Sequence, residues 1–383
     1  TFTLTYSANA NGTVTGTLSQ SVDYSNNGSA VTATADLGYH FISWSDAVLT
    51  AERTDTNITG DVTVSASFAI DTFTVTSTAG SNGTISPLGA TTTDYGSSLV
   101  YTITPDANYH VADILVDDVS VGATSSYTFT NITADHTIAA TFAIDTFTLT
   151  YSANANGTVT GTLSQSVDYS NNGSAVTATA DLGYHFISWS DAVLTAERTD
   201  TNITGDVTVS ASFAIDTFTV TSTAGSNGTI SPLGATTTDY GSSLVYTITP
   251  DANYHVADIL VDDVSVGATS SYTFTNITAD HTIAATFAID TFTLTYSANA
   301  NGTVTGTLSQ SVDYSNNGSA VTATADLGYH FISWSDAVLT AERTDTNITG
   351  DVTVSASFAI DTFTVTSTAR IQWHYLAPRS HHH

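Results

Sequence analysis

TFTLTYSANANGTVTG, residues 1–16, alternates apolar and hydroxyl-bearing side chains before it turns. Phe2, Leu4 and Tyr6 share one side of an extended chain, with Thr1, Thr3, Thr5 and Ser7 on the other. That period-2 pattern is the signature of a strand buried on one face. Asn11-Gly12 follows, a strong hairpin signal because primed turns need positive φ. The same string returns unchanged at Thr146 and Thr291, so its reading applies three times over.

The repetition extends well beyond this strand. Residues 1–70, 146–215 and 291–360 are identical and form module A. Residues 72–144 and 217–289 are identical to each other and form module B. The order is A1-B1-A2-B2-A3 with a period of 145 residues. Such self-similarity is the mark of a recently multiplied or concatenated array. A and B are themselves distant copies of one plan. Both open on a Phe-bearing strand, turn at Asn-Gly-Thr (Asn11–Thr13, Asn82–Thr84), place Tyr-His after a polar turn (Tyr39-His40, Tyr109-His110) and close on Phe-Ala-Ile. Residues 361–369 begin a third B module and stop, and residues 370–383 read as vector-derived sequence ending in three histidines of a tag.

Closing strands repeat the alternation, Val62, Val64, Ala66, Phe68 and Ile70 in A and Ile138, Ala140, Phe142 and Ile144 in B. No segment holds a 3.6-residue period for long, leaving room for one short helix per module at most. The fold class is therefore all-β, with β-grasp-like or small sandwich modules. Modules of this size lie near the lower limit for independent folding without staples. Trp44, Trp189 and Trp334 are the expected centres of the A cores, and Ile114 with Leu115 is expected to fill that space in B. Only Asp71 or Asp145 separates the closing strand of one module from the opening strand of the next. Flexible Gly/Ser linkers are absent, so the array is expected to be a monomeric rod, on the order of 150 Å for five modules in line. End-to-end association through the unfinished strand Thr362–Ala369 is a side effect to expect.

Composition narrows function. The chain carries 35 acidic residues against five Arg and no Lys, a formal net charge of −30. Such a surface repels phosphate backbones and anionic membranes. No Cys is present, which removes disulfides, thiolate zinc sites and cysteine nucleophiles. Isopeptide staples need Lys and are likewise excluded. No apolar run is long enough to span a membrane as a helix. The chain lacks Met and a signal sequence, as a processed product or an excerpt would.

Residues that could carry chemistry are few. Asp117-Asp118 are sequence neighbours, which in a strand would point to opposite faces and make no acid/base pair. The histidines His40, His110 and His136 lack metal-ligand spacing and read as strand-end side chains. No G-x-S-x-G elbow occurs. The sequons Asn57-Ile58-Thr59 and Asn131-Ile132-Thr133 read as β-rich polar composition rather than glycan acceptors. Catalytic and cofactor-binding residues are thus expected to be none. The junction residues Asp71, Asp145, Asp216 and Asp290 are candidate calcium ligands, although one carboxylate is far from a full oxygen shell.

The segment Gly38–Trp44 (GYHFISW), the Asn57-Ile58-Thr59 stretch and the closing VTVSASFA strand together resemble the internalin-type B repeat, and more closely its divergent (Listeria–Bacteroides repeat-like) form in bacterial surface proteins. Module A matches at Gly38, Tyr39, Phe41, Trp44, Val62, Thr63 and Phe68; module B departs with Asn108, Val111 and Ile114. The resemblance implies small strand-rich modules in tandem on an extracellular cell-surface protein, acting as a stalk that projects a tip domain. Its alternative is a multivalent adhesive module that binds glycan or a surface protein through exposed Tyr and Thr. It carries over no catalytic residue.

Overall fold

The computed structural model describes residues 1–370 and 372. Two compact units are distinguished, Thr1–Thr179 with Phe186–Phe213, and Ala180–His185 with Ala214–His383. A1 and B1 lie wholly in the first unit, B2 and A3 in the second. Among the described residues every regular element is a strand, and the short helix that the sequence left room for is not there.

A1 comprises β1 (Phe2–Ala8), β2 (Gly12–Gly16), β3 (Ser19–Val22), β4 (Val31–Ala35), β5 (Tyr39–Trp44), β6 (Glu52–Arg53) and β7 (Val62–Ile70). They form a four-stranded sheet in the order β3-β1-β7-β5 and a three-stranded sheet in the order β2-β4-β6. One core joins the two sheets: Leu4, Tyr6, Trp44, Val64 and Ala66 from the first, Val31 and Ala33 from the second. Of the two architectures left open by the sequence, the sandwich is the one formed.

Each successive strand of A1 switches sheet. This corrects the reading of Asn11-Gly12 as a hairpin turn. Asn11 does adopt φ 76°, but the turn is a corner that carries the chain from β1 to β2 on the facing sheet. Gly12 is needed for closeness rather than for φ, since a Cβ there would stand 2.5 Å from the Phe68 ring. Gly83 stands in the same relation to Phe142.

B1 comprises β8 (Thr72–Ala79), β9 (Gly83–Ser86), β10 (Gly89–Asp94), β11 (Leu99–Pro105), β12 (Tyr109–Val116), β13 (Val119–Ser120), β14 (Ser126–Phe129) and β15 (His136–Ile144). Its sheets run β10-β8-β15-β12-β13 and β14-β11-β9. In both modules the first and last strands are parallel neighbours, Leu4–Ala8 beside Val62–Ala66 and Val75–Ala79 beside His136–Ala140. A bulge falls at Ile42 in β5 and at Ala112 in β12.

Trp44 pairs with Ala66 and Ile114 with Ala140, so the two side chains hold equivalent places, each 0% exposed. Leu115, expected beside Ile114 in the B core, is only partly buried and stands outside it. The volume comes from the facing sheet instead. Counting from Gly12 opposite Ala35 and Gly83 opposite Pro105, Tyr101 takes the place of Val31 and Ile103 that of Ala33. A large Trp against small neighbours in A becomes a small Ile against large neighbours in B, which preserves close packing.

The strand-like segment Thr362–Ala369 forms no strand, and its Phe363 and Val365 are 86% and 90% exposed. His381–His383, read from the sequence as part of a tag, lie outside the described residues.

Candidate functional site

The chemistry-bearing side chains collect in three places: the module junctions, a buried polar node in A, and a hairpin in B. At the A1–B1 junction, Asp71 is the single residue between β7 and β8. Its N–H donates to the Gly38 carbonyl and its own carbonyl accepts from Tyr95 N–H, at 2.9 and 2.8 Å. Its carboxylate lies 2.8 Å from His40 Nδ1. Gly38 adopts φ +77°, and a Cβ there would stand 2.3 Å from Tyr95 Cδ1, so the tyrosine of one module seats on the glycine of its neighbour.

Gly183, Asp216, His185 and Tyr240 repeat the arrangement. The B1–A2 junction uses Asn108 at φ 67° in place of glycine, with Asp145, His110 and Tyr169. Tyr24, the equivalent tyrosine of A1, is 67% exposed. The four junction aspartates singled out as calcium candidates thus each face one histidine: His40, His110, His185 and His255. Among the described residues no three His, Cys, Asp or Glu side chains come together as a metal-binding group.

The polar node in A was not anticipated from the sequence. Arg53 is 6% exposed. Its Nη1 and Nη2 donate to the two oxygens of Asp46, both at 2.9 Å, and Nη2 and Nε donate to Asp55 at 2.5 and 3.2 Å. The guanidinium lies 5.0 Å from the Trp44 ring centroid and 5.9 Å from that of Tyr6. Tyr6 OH donates to Asp55 at 2.6 Å. Burial, reinforced by the Asp55 carboxylate, pushes the Tyr6 phenol well above its ordinary range. Hydrogen bonding from Arg53 holds Asp46 below the usual carboxylate range. Burial opposes the charge on Arg53, but its two carboxylate partners outweigh this and keep it firmly protonated.

Arg198 and Arg343 repeat the node in the other A modules. The signal in the sequence was scarcity: residues 1–369 contain these three Arg and no Lys. All three are buried, so that stretch displays no Lys or Arg side chain on its surface, against its many Asp and Glu.

In B, Asp117 and Asp118 are themselves the two-residue turn joining β12 to β13, at φ 49° and 64°, rather than strand residues. Asp117 accepts from Thr137 N–H at 2.8 Å and lies 2.7 Å from His136 Nδ1. The Thr137 bond first, then His136, lowers its pKa. His136 in turn stacks near Phe129, with ring centroids 5.0 Å apart. Each of these groups is engaged in holding a turn or junction.

Comparison with known proteins agrees with this modular plan. The model of the divergent InlB B-repeat domain matches residues 2–72, 73–146, 147–217, 218–291 and 292–362. Among solved structures, the Bacillus anthracis TIE protein aligns over 92% of this chain and 73% of its own, at 9% identity and a TM-score of 0.28. The N-terminal eight Ig domains of the Down syndrome cell adhesion molecule align over 89% and 83%, at 7% identity and a TM-score of 0.10. Comparison with curated proteins returns no match. With five consecutive matches that together cover residues 2–362 without a gap, the chain belongs to the divergent InlB B-repeat domain family.

Proposed function

We propose that this array is a structural spacer of a bacterial surface protein, located outside the cell and without catalytic activity of its own. The observation that carries the reading is the junction. One residue connects neighbouring modules, its N–H bonded to the module before it and its C=O to the module after it, with Tyr95 seated on Gly38. A joint so occupied has few torsions left free. Identical copies add length and valency, whereas catalysis needs one convergent constellation. Among the described residues no helix is long and apolar enough to cross a membrane.

The absence of native cysteine makes the test clean. Spin labels at Thr13→Cys in A1 and Thr104→Cys in B1, both exposed positions, report the distance between the two modules. A stiff spacer gives one narrow distribution. A broad distribution, like that of a flexible linker, overturns the reading.

A further inference from the structure

A cleft of about 420–440 Å³ recurs in all three A modules. In A1 it is lined by Thr17, Ser19, Ser21, Asp23, Asn26 and Ser29, among others. It runs along β3, the outermost strand of the four-stranded sheet. Tyr6 N–H donates to the Leu18 carbonyl and the register pairs Leu4 with Gln20 and Phe2 with Val22. Leu18, Gln20 and Val22 therefore spend their backbone groups on β1, and those of Ser19 and Ser21 point outward from the sheet edge.

The cleft wall is built, not incidental. Gln20 is nearly buried, and its Nε2 donates to the carbonyls of Thr17 and Ser29 at 2.9 and 3.0 Å while its Oε1 accepts from Ser29 N–H at 2.6 Å. Gly28 lets the loop lie this close, since a Cβ there would meet Gln20 Oε1 and Leu4 Cδ2 at 2.8 Å. The segment Ser25–Ala30 is one residue longer than its B counterpart, Gly96–Val100, whose last two residues already belong to β11.

We infer that this edge cleft receives an extended, Lys- or Arg-bearing peptide strand of another protein, which adds to β3 by main-chain hydrogen bonding. This goes beyond the spacer role. An open edge with outward N–H and C=O groups is a template for strand addition. Charge selects the occupant. Asp23 stands at the cleft, and no Lys or Arg side chain of the A module is displayed around it, because its one such residue, Arg53, is buried. A second copy of this chain, at a formal net charge of −30, is disfavoured by the same field. No aromatic side chain lines the cleft, which leaves a sugar ring without a stacking platform.

The test is a calorimetric and NMR titration of the full chain with the synthetic peptide Lys-Thr-Val-Thr-Val-Thr-Lys. Binding should saturate at three peptides per chain and shift the Ser19–Ser29 resonances. The same peptide N-methylated at its three central residues, so that neither of its edges can pair, should bind at least tenfold more weakly. The triple variant Ser21→Pro, Ser166→Pro, Ser311→Pro, which removes one outward N–H per cleft, should lose binding while keeping the circular dichroism of the parent. The N-methylated arm does not depend on that variant folding. Equal binding of the two peptides would reduce the effect to charge alone and overturn the proposal. So would absence of saturation at millimolar peptide, displacement of the peptide by neutral oligosaccharides, or pairing of the chain with itself in place of the peptide.

Discussion

The ring of Tyr95 occupies the space that a side chain on Gly38 would need, 2.3 Å from the position of the missing Cβ. Two strains therefore converge on Gly38→Ala, a left-handed φ of +77° and a steric conflict with the next module. Gly328 separates them, because it has φ +86° but nothing within 4 Å. Gly328→Ala should cost only the backbone term, roughly 1–2 kcal/mol. Gly38→Ala should cost more and should loosen the A1–B1 joint. Hydrogen exchange by mass spectrometry is suited to the comparison. Each substituted peptide differs in mass from its wild-type copies, which serve as references within the same molecule.

Replacement of Arg53 by Met removes the only cation from a site that retains Asp46, Asp55 and the Tyr6 hydroxyl. The carboxylates left behind are partly exposed, so the loss is that of charged hydrogen bonds, about 1.5–3 kcal/mol, and A1 should unfold at lower denaturant than the other A modules. Arg53→Lys should recover little, since an ammonium cannot reproduce the bidentate bond to Asp46 or the planar contact with Trp44. A denaturation profile in which A1 stays level with the other A modules would show that the node is dispensable.

Trp44→Ala should destabilise its module by about 3–5 kcal/mol. The exchange of volume between A and B gives a sharper test. Trp44→Ile alone leaves a void, and Val31→Tyr with Ala33→Ile alone overfills the core. The triple variant reproduces the B arrangement of Ile114, Tyr101 and Ile103, and should lose less than the sum of its parts. Strict additivity would argue against the equivalence.

Acid should weaken both kinds of module. Asp46 and Asp117 have folded pKa values below their unfolded ones. Their contribution is therefore fully present above the ordinary carboxylate pKa, about 4, and is lost as pH falls through the lowered folded value. Tyr6 is shifted the opposite way, so its contribution holds below about pH 10 and fades as pH rises beyond that. Asp46→Asn and Asp117→Asn should each flatten the acid limb.

Deletion of residues 362–383 should leave the melting temperature unchanged. The first strand of each complete module pairs with that module's own last strand, and Phe363 and Val365 touch little. A drop of several degrees, equivalent to about 1 kcal/mol in so small a module, would place the segment in the preceding fold.

The strands and the core were legible because alternation is a local pattern. Leu4, Tyr6, Trp44 and Val64 all lie where a one-faced reading puts them. Topology was not legible from the same signals. Asn11-Gly12 has the chemistry of a hairpin turn, yet which sheet the next strand joins depends on the Phe68 ring that sits on Gly12, 56 positions away in sequence. The true hairpin, at Asp117-Asp118, carries no glycine. Arg53 escaped notice for a related reason: Asp46 and Asp55 flank it in sequence, but its burial against Trp44 and Tyr6 is a tertiary fact. The junction histidines were read singly, and their aspartate partners lie 31 or 35 residues further on.

The parallel pairing of β1 with β7 has a mechanical meaning. Tension on a tethered array enters a module at the start of β1 and leaves at the end of β7, so it draws these neighbours past each other along their length. The ladder from Leu4–Ala8 to Val62–Ala66 is then loaded in shear, its bonds sharing the force at once instead of parting one after another as in unzipping. Each module, B as well as A, closes its own ends with such a clasp, so a pull from outside must shear a whole ladder before the module opens.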